Sequence, residues 1–496
     1  MTTVARNIAA NAAGAGLSFV VFLIAVPLYL RLLGAEAYGL VGLFTTVMVA
    51  AAALDLGLGA TLNREVARLT ARDGGRADTA DVAATLQAAC WVVGVLMGGL
   101  FALGAPAIAT RWLNFSTLSA SEVRGALALM GLALPAVIAR GVYLAGLNGL
   151  QRQALANLLQ TGGTTTRALA SLAALLLVAP TVRVFFVVQL VLLLAEAIVL
   201  GVALRRALPT AARGGHVHWA CLRPLLRFSG GMAGTMLLGH TLNSLDQVIL
   251  SAILPLAEFG YYTLAVGVAA TLGLVVTPVT TAVYPRFSQL VERAPREVST
   301  EYHFFSQLVA VLVLPLGAIL IFFPADVLAL WTRNPDVVSH AATVLSLRAI
   351  GTVLNALMHV PHVVQLAFGW SSLGAWANAI AVVIMVPATI ALSRTWGGAG
   401  AALAWIGLNL GMLSCAMALM HRRVLRGELA GWYARLLPPA LAVALVAGTA
   451  RLIMPDGLAA PARLAWLAAA AALSAAAALA AAPTVRRRMV AAVRPA

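Results

Sequence analysis

Apolar runs of about 20 residues recur along the whole chain and are separated by short polar links. A run of that length crosses a bilayer as an α-helix. The pattern predicts fourteen spans, at residues 9–30, 39–62, 83–109, 125–147, 154–178, 184–204, 229–254, 259–284, 304–323, 342–366, 373–393, 399–420, 437–454 and 464–482. The last two spans are rich in alanine, so twelve spans with a loose pair is the alternative. The predicted fold class is an all-α polytopic membrane protein.

The composition agrees with a membrane protein and decides how the charge is interpreted. Hydrophobic residues make up 61% of the chain and charged residues only 10%, whereas a soluble domain carries about 25% charged residues. The net charge is +16, and every basic residue is an arginine. These arginines are concentrated in the links between apolar spans and not on the face of a soluble domain. Nucleic acid is therefore not expected as a partner.

The distribution of the arginines predicts the orientation. If the N-terminus is cytoplasmic, most arginines fall in cytoplasmic links, such as residues 64–78, 205–227 and 421–435. Short cytoplasmic links of membrane proteins carry an excess of basic residues. We therefore expect both termini to be cytoplasmic. No link is long enough to hold a folded domain outside the membrane.

The two halves of the chain resemble each other. The segment LLGAEAYG at 32–39 matches LPLAEFGYY at 254–262, and ALAN at 154–157 matches AWAN at 375–378. Each half holds six predicted spans, so we expect two lobes of the same orientation, related by a pseudo-two-fold axis along the membrane normal. The predicted organisation is an N-lobe (1–205), a cytoplasmic linker (206–227), a C-lobe (228–425), and two extra helices with a basic tail (426–496).

Polar residues form stripes inside several spans, because residues three and four apart share one face of a helix. Such stripes either join helices by hydrogen bonds or line a water-filled cavity. The stripes are Asn157, Gln160, Thr164, Arg167 and Ser171 in the fifth span, His240, Asn243, Asp246 and Gln247 in the seventh, and Arg348, Thr352, Asn355, His359 and His362 in the tenth.

Three arginines lie within spans, Arg140, Arg167 and Arg348. Arginine keeps its charge, and its planar fork matches phosphate oxygens. We interpret them as part of a cationic cavity for an anionic substrate, although simple pairing with buried acids is the alternative. The predicted substrate-binding residues are Arg140, Arg167, Arg348, Asn157, Asn243 and Asn355, and the predicted counter-ion or coupling residues are Asp246, Asp55 and Glu196.

Motifs for enzyme chemistry are absent from the sequence. It contains no P-loop, no HExxH and no nucleophile elbow. The three cysteines, Cys90, Cys221 and Cys415, have no spacing typical of a metal site or a disulfide framework. We therefore predict no catalytic residue, no metal and no cofactor.

Three segments resemble a known family. They are PLYLRLLGAEAYGL at 27–40, LDLGLGATLNRE at 54–65 and LDQVILSAILPLAEFGYYTLA at 245–265. These residues are similar to the polysaccharide transporter branch of the multidrug/oligosaccharidyl-lipid/polysaccharide (MOP) exporter superfamily, the family of Wzx-type O-antigen flippases. The related lipid II flippases carry a cavity arginine in the first helix, where this chain has only Arg6 and Arg31 at the helix ends. The role of binding a diphosphate would therefore pass to the three arginines within later spans.

The resemblance implies a transporter of the bacterial inner membrane. It would move a polyprenyl-diphosphate-linked oligosaccharide, such as an O-antigen or exopolysaccharide repeat unit, from the cytoplasmic to the periplasmic leaflet by alternating access. The implied partners are this lipid-linked oligosaccharide, membrane lipids and other glycan-assembly proteins, with a proton or sodium ion as the candidate coupling ion. One alternative is an organic-cation antiporter of the same superfamily, which needs an acidic cavity. A second is a glycan-modifying membrane enzyme, which usually needs a larger outer loop. A third is a non-transporting scaffold.

Overall fold

A computed structural model describes residues 3–53, 57–70, 76–208, 215–219, 239 and 242–493. Over these ranges the chain is helical, with no β-strand; one isolated bridge pairs Asn114 with Pro255. The chain divides into two compact units, Met1–Gly260 and Tyr261–Ala496. This all-helical architecture confirms the predicted fold class. The boundaries of the N-lobe, linker and C-lobe remain a prediction.

The first unit contains eight helices among its described residues and the start of a ninth. Their bounds are α1 (Thr3–Leu33), α2 (Ala35–Ala53), α3 (Leu58–Thr70), α4 (Arg76–Arg111), α5 (Ala120–Gly149), α6 (Gln153–Leu177), α7 (Val182–Ala207), α8 (residues 242–253) and α9 (Leu256–Ala270), which continues into the second unit.

The second unit continues, over its described residues, with ten α-helices. Their bounds are α10 (Gly273–Arg293), α11 (Val298–Phe322), α12 (Pro324–Thr332), α13 (Pro335–Leu357), α14 (His359–Ala367), α15 (Ser371–Gly411), α16 (Met417–Arg423), α17 (Glu428–Leu452), α18 (Ala460–Ala480) and α19 (Pro483–Val493). A short π-helical segment, Met412–Ala416, joins α15 to α16.

Small residues allow α4 and α5 to pack closely. A Cβ atom at Gly98 would lie 2.4 Å from the carbonyl oxygen of Gly131, and one at Gly94 would lie 2.6 Å from the Cα of Pro135. Neither contact is possible for a larger residue without separating the helices. Close approach through small residues is a common way for membrane helices to associate. The helix α5 lies at the centre of the first unit and has buried residues along most of its length.

A glycine interrupts the longest helix of the second unit. Gly397 has φ 55° and ψ −134°, so the 41 residues of α15 form two helical segments with a kink between them. An L-residue rarely adopts a positive φ of this kind, whereas glycine adopts it readily. The kink falls between the predicted spans 373–393 and 399–420, so the break in the hydrophobic pattern corresponds to a real break in the helix.

The described residues contain ten helices long and apolar enough to cross a membrane, or eleven if the bent pair α9–α10 counts as one span. The predicted count of fourteen is not confirmed. The stretch Ser372–Arg423 counts once although it bends at Gly397, and the seventh predicted span lies partly outside the described residues. The helix α6 is long enough but carries the polar stripe around Arg167. Large apolar side chains such as Leu100 and Leu177 are 76% and 85% exposed, as expected of a surface in contact with lipid.

Candidate functional site

Two arginines and one glutamate meet inside the first unit, between the helices α5, α6 and α7. The Nε of Arg140 donates to Oε1 of Glu196 at 2.6 Å, and Nη1 of Arg167 donates to the other carboxylate oxygen, Oε2. We call these three residues the Glu196 cluster. All three were singled out by the sequence as embedded charges, and the structure brings them together.

A glycine on α6 makes room for this carboxylate. A Cβ atom at Gly163 would lie 2.6 Å from Oε1 and 2.8 Å from Oε2 of Glu196. These distances are shorter than any real Cβ contact, so an alanine would displace the glutamate or separate the two helices. Gly163 could not be found from the sequence, because a glycine beside a second glycine in a membrane helix carries no local signal of function.

The Glu196 cluster is mostly buried and carries a net positive charge. The side chains of Arg140, Arg167 and Glu196 are 17%, 10% and 5% exposed. One carboxylate faces two guanidinium groups, so the sum of the formal charges is one positive charge. Such a charge in a poorly hydrated place is unfavourable unless a partner or some water offsets it.

Arg140 is the member of the Glu196 cluster that is open to a ligand. It uses Nε for Glu196, and its Nη1 and Nη2 atoms have no hydrogen-bond partner among the residues that the structure describes. Arg167 points its Nη2 towards the hydroxyl of Thr164, at 3.5 Å. The terminal nitrogens of a guanidinium bind two oxygens of a phosphate in parallel. Arg140 can therefore hold an anion without breaking its bond to Glu196.

The third predicted arginine has a different environment in the second unit. Arg348 on α13 is 5% exposed, and its guanidinium lies over the ring of Trp405, 4.3 Å from the ring centroid. A cation over the face of an indole is stabilised by about 0.5–2 kcal/mol. Two turns further along α13, Asn355 donates from Nδ2 to Oδ1 of Asn409 at 2.9 Å. Trp405 and Asn409 both lie on the second segment of α15, so this polar stripe joins α13 to α15.

The other predicted site residues differ in how exposed their side chains are. Asn157 is half-buried on α6. On α8, Asn243 is exposed and donates to the carbonyl of Gly239 at 2.8 Å, whereas Asp246 is 2% exposed and accepts from the backbone of the next residue. Asp55 lies outside the described residues. The stripe on α8 therefore does not share one environment.

A buried carboxylate at the start of α2 has a clear structural role. Glu36 accepts from the backbone nitrogens of Ser116, Thr117 and Leu118 at 2.5, 2.7 and 2.7 Å. It also accepts from the hydroxyl of Thr117. This clamp fixes the link between α4 and α5. The sequence indicated Glu36 only through its match with Glu258 between the two halves, and that match was the signal that could have found the clamp.

Metal ligands do not gather at any point of the described chain. Within the described ranges, no three residues among histidine, cysteine, aspartate and glutamate are close enough together to hold a metal ion. The chemistry that the described site offers is that of guanidinium groups, carboxylates, amides and aromatic rings.

Comparison with known proteins identifies the family. A family model described as "Polysaccharide biosynthesis protein" matches residues 4–291. The chain belongs to this family. It is 21% identical over 397 residues to a Shigella flexneri protein provisionally described as an O-antigen transporter, covering 77% of this chain and 90% of that protein.

Solved structures that share the fold include a flippase and a multidrug transporter. The lipid II flippase MurJ in an inward closed conformation matches with a TM-score of 0.77 and 12% identity, over 97% of this chain and 99% of that chain. An inward-facing multidrug resistance MATE family transporter matches with a TM-score of 0.68 and 15% identity, over 82% and 96%. The resemblance predicted from the sequence is thus confirmed. The chain is a multi-pass membrane protein of the polysaccharide biosynthesis family and shares the fold of these two proteins, and the relatives are transporters and not enzymes.

Proposed function

We propose that the protein moves a polyprenyl-diphosphate-linked oligosaccharide across the bacterial inner membrane, from the cytoplasmic to the outer leaflet. The family and the Shigella flexneri relative support a glycan as the substrate class, and the fold shared with the lipid II flippase MurJ supports a lipid carrier. The headgroup of such a carrier has two features, a doubly charged diphosphate and a neutral sugar chain. A transporter for it needs fixed cations for the first and amides or aromatic rings for the second.

The observation that carries this proposal is the net positive charge of the Glu196 cluster. Arg140 keeps both terminal nitrogens for an incoming anion, and its side chain is 17% exposed within an otherwise buried cluster. A fork of this kind is suited to one phosphate of the diphosphate. Arg348 over Trp405 and the amides of Asn157, Asn243 and Asn355 are proposed to contact the substrate at other stages of transport.

The proposed orientation follows from the arginine-rich links. Both termini are proposed to be cytoplasmic, so the substrate would enter from the side where it is assembled. Asp246 and Glu196 are proposed as counter-ions that limit repulsion among the cations in the empty protein. Coupling to a proton or sodium ion is proposed to involve Asp246, and Asp246→Asn should then make transport insensitive to an imposed gradient of the coupling ion.

Reconstituted vesicles test the proposal directly. The purified protein is placed in liposomes that contain a fluorescent polyprenyl-diphosphate oligosaccharide, and an impermeant glycosidase reports which leaflet holds the sugar. Arg140→Ala should slow the transfer by at least about tenfold, because a hydrogen bond to a charged group contributes about 1.5–3 kcal/mol. Arg124→Ala is the matched control, since Arg124 is an exposed arginine near the start of the same helix and, among the described residues, bonds only the carbonyl of Ala120, at 3.1 Å.

Transfer at the wild-type rate by the correctly inserted Arg140→Ala protein would remove the phosphate role of this residue. Absence of transfer by the wild-type protein would reject the lipid-linked glycan as substrate. Loss of transfer in both arginine variants would show a general effect of charge instead of a site.

The likeness to the MATE transporter makes an organic-cation antiporter the second candidate. The net positive charge of the Glu196 cluster repels a cation, which disfavours this function. Efflux of a cationic dye from vesicles, driven by a sodium or proton gradient, would favour it over the glycan flippase.

A further inference from the structure

A polar cavity of about 640 Å³ lies in the second unit, where α11 and α17 begin and α19 follows α18. None of these helices carries a member of the Glu196 cluster. Cavities of this size hold small ligands or lipid headgroups. The residues that line it are Ser299, Thr300, Glu301, His303, Phe304, Glu428, Arg435, Pro483, Thr484, Arg487 and Arg488. Nothing in the proposed transport mechanism uses this cavity.

Contacts at the edge of the cavity hold α19 in place. Oε1 of Gln307 accepts from the backbone nitrogens of Thr484 and Val485 at 2.9 and 3.2 Å, and so caps the start of α19. Arg488 pairs with Glu301 at 2.8 Å and lies over the ring of Phe304, 4.2 Å from its centroid. These contacts explain why α19 is ordered against α11, and they leave other charges of the cavity unexplained.

The carboxylates of the cavity already have partners. Glu301 pairs with Arg286 at 3.1 Å as well as with Arg488. Glu428 accepts from the hydroxyl of Ser299 at 2.6 Å and contacts Nε2 of His303 at 2.7 Å. The arginines outnumber the acids around the cavity, so a positive charge remains.

Two guanidinium groups supply this remaining charge. Arg435 donates from Nη1 to the carbonyl of Gly431 at 2.9 Å. A Cβ at Gly431 would lie 2.8 Å from that nitrogen, so the glycine leaves room for the guanidinium beside the cavity. Arg487 is exposed on α19 and has no ion pair with any residue that the structure describes. Neither arginine is needed to hold α19.

One buried atom beside the cavity has no partner within the described chain. His303 is 4% exposed, and its Nδ1 has no hydrogen-bond partner in the described part of the chain, although Nε2 contacts Glu428. Buried polar atoms are usually paired, and an orphan in a native structure calls for an explanation. With Nε2 donating to Glu428, Nδ1 of the neutral ring is an acceptor, so it calls for a hydroxyl donor and does not bind an anion. The positive charge of the cavity therefore comes from its arginines.

We propose that this cavity binds a phosphate group, held by Arg435 and Arg487. The shared chemistry is a phosphate ester, which an anionic phospholipid or a soluble phosphate compound could each provide. A phospholipid headgroup fits the place of the cavity better. Just beyond Arg435 the same helix exposes Leu437, Leu441 and Leu445 at 59%, 61% and 72%, so α17 enters the apolar phase of the membrane at this level.

Binding of short-chain phosphatidylglycerol to the full-length protein in a zwitterionic detergent tests the site. Phosphatidylcholine of the same chain length is the lipid control. Arg487→Ala and Arg435→Ala should each weaken the phosphatidylglycerol affinity by about tenfold, the effect of losing one charge-assisted hydrogen bond. Arg486→Ala is the matched control, because Arg486 is an exposed arginine next in sequence that does not line the cavity and bonds the carbonyl of Ala480 at 3.0 Å.

Competition separates the two sources of phosphate. If glycerol phosphate or inorganic phosphate displaces the lipid at millimolar concentration, the site recognises the phosphate itself; if neither does, it recognises the headgroup with its acyl chains. Both outcomes support the site. Equal affinity of the wild-type protein for the two lipids, or equal weakening by Arg486→Ala and Arg487→Ala, would overturn it. Arg487 is exposed, so its variant remains informative even if Arg435→Ala does not fold.

Discussion

Replacing Glu196 with glutamine isolates the charge of the Glu196 cluster from its shape. The amide has nearly the same volume as the carboxylate, so helix packing is preserved. Both carboxylate oxygens are in use, Oε1 by Arg140 and Oε2 by Arg167. Whichever way the amide is oriented, its NH₂ group faces one guanidinium, donor against donor. The variant thus loses one ionic hydrogen bond and weakens the other.

The structure sets the size of this effect. The formal charge of the cluster rises from one to two positive charges, in a place where the two arginine side chains are only 17% and 10% exposed. Removing one partner of a buried ion pair costs about 3–5 kcal/mol. The residual exposure of Arg140 lets water screen part of the charge, so we expect the lower end, about 3 kcal/mol. For a unit of this size that lowers Tm by about 6 °C or more.

Thermal unfolding in detergent, followed by tryptophan fluorescence, measures this shift. Glu292→Gln is the matched control, because Glu292 is exposed and its variant should stay within about 0.5 kcal/mol of the wild type. In a double-mutant cycle, Glu196→Gln combined with Arg167→Met should destabilise less than the sum of the single changes, because the second change removes a charge that the first leaves unpaired. A Tm within about 1 °C of the wild type for Glu196→Gln, or strict additivity in the cycle, would refute the pairing of these charges.

Three further changes test the local geometry. Gly163→Ala should lower both stability and transport, because its Cβ would lie 2.4 Å from Cδ of Glu196, whereas Gly162→Ala, with open space beside it, should do neither. Gly397→Ala should destabilise by about 1–3 kcal/mol in a thermal melt, since φ is 55° there, while Gly407→Ala, also in open space, should not. Glu36→Ala should speed amide hydrogen exchange at residues 116–118, which its carboxylate now holds; unchanged exchange there would contradict the clamp.

The parts of the structure that the sequence could predict are those that lipid imposes. A bilayer excludes unpaired backbone groups, so long apolar runs must be helices. For the same reason, charges within these runs must be paired or face a cavity. Arg140, Arg167 and Glu196 are recognisable as functional candidates on this ground, because each interrupts an apolar run.

Which charges pair with each other could not be predicted, because the pairing depends on helix contacts. Arg140 and Glu196 are 56 residues apart, and Arg167 and Glu196 are 29 apart. The position of Gly163 beside the carboxylate decides which face of α6 meets α7, and the sequence pattern contains no trace of it. Likewise, the ring of Trp405 stabilises Arg348, and an aromatic residue in an apolar helix gives no signal of that role.

Arg140→Lys decides whether the Glu196 cluster acts through its charge alone or through the shape of the guanidinium. A lysine keeps the positive charge but is a point donor without the fork. In the structure Arg140 uses Nε for Glu196 and keeps two terminal nitrogens, so one side chain can serve the carboxylate and an anion at once. A lysine ammonium drawn to Glu196 has no second, oriented pair of donors for a phosphate. We therefore expect Arg140→Lys to retain most of the thermal stability that Arg140→Ala loses, but to transfer the lipid-linked oligosaccharide at a rate close to that of Arg140→Ala. If the lysine variant transfers the substrate at the wild-type rate, a positive charge at this position is sufficient. The proposal that Arg140 binds a phosphate through two parallel hydrogen bonds would then be wrong.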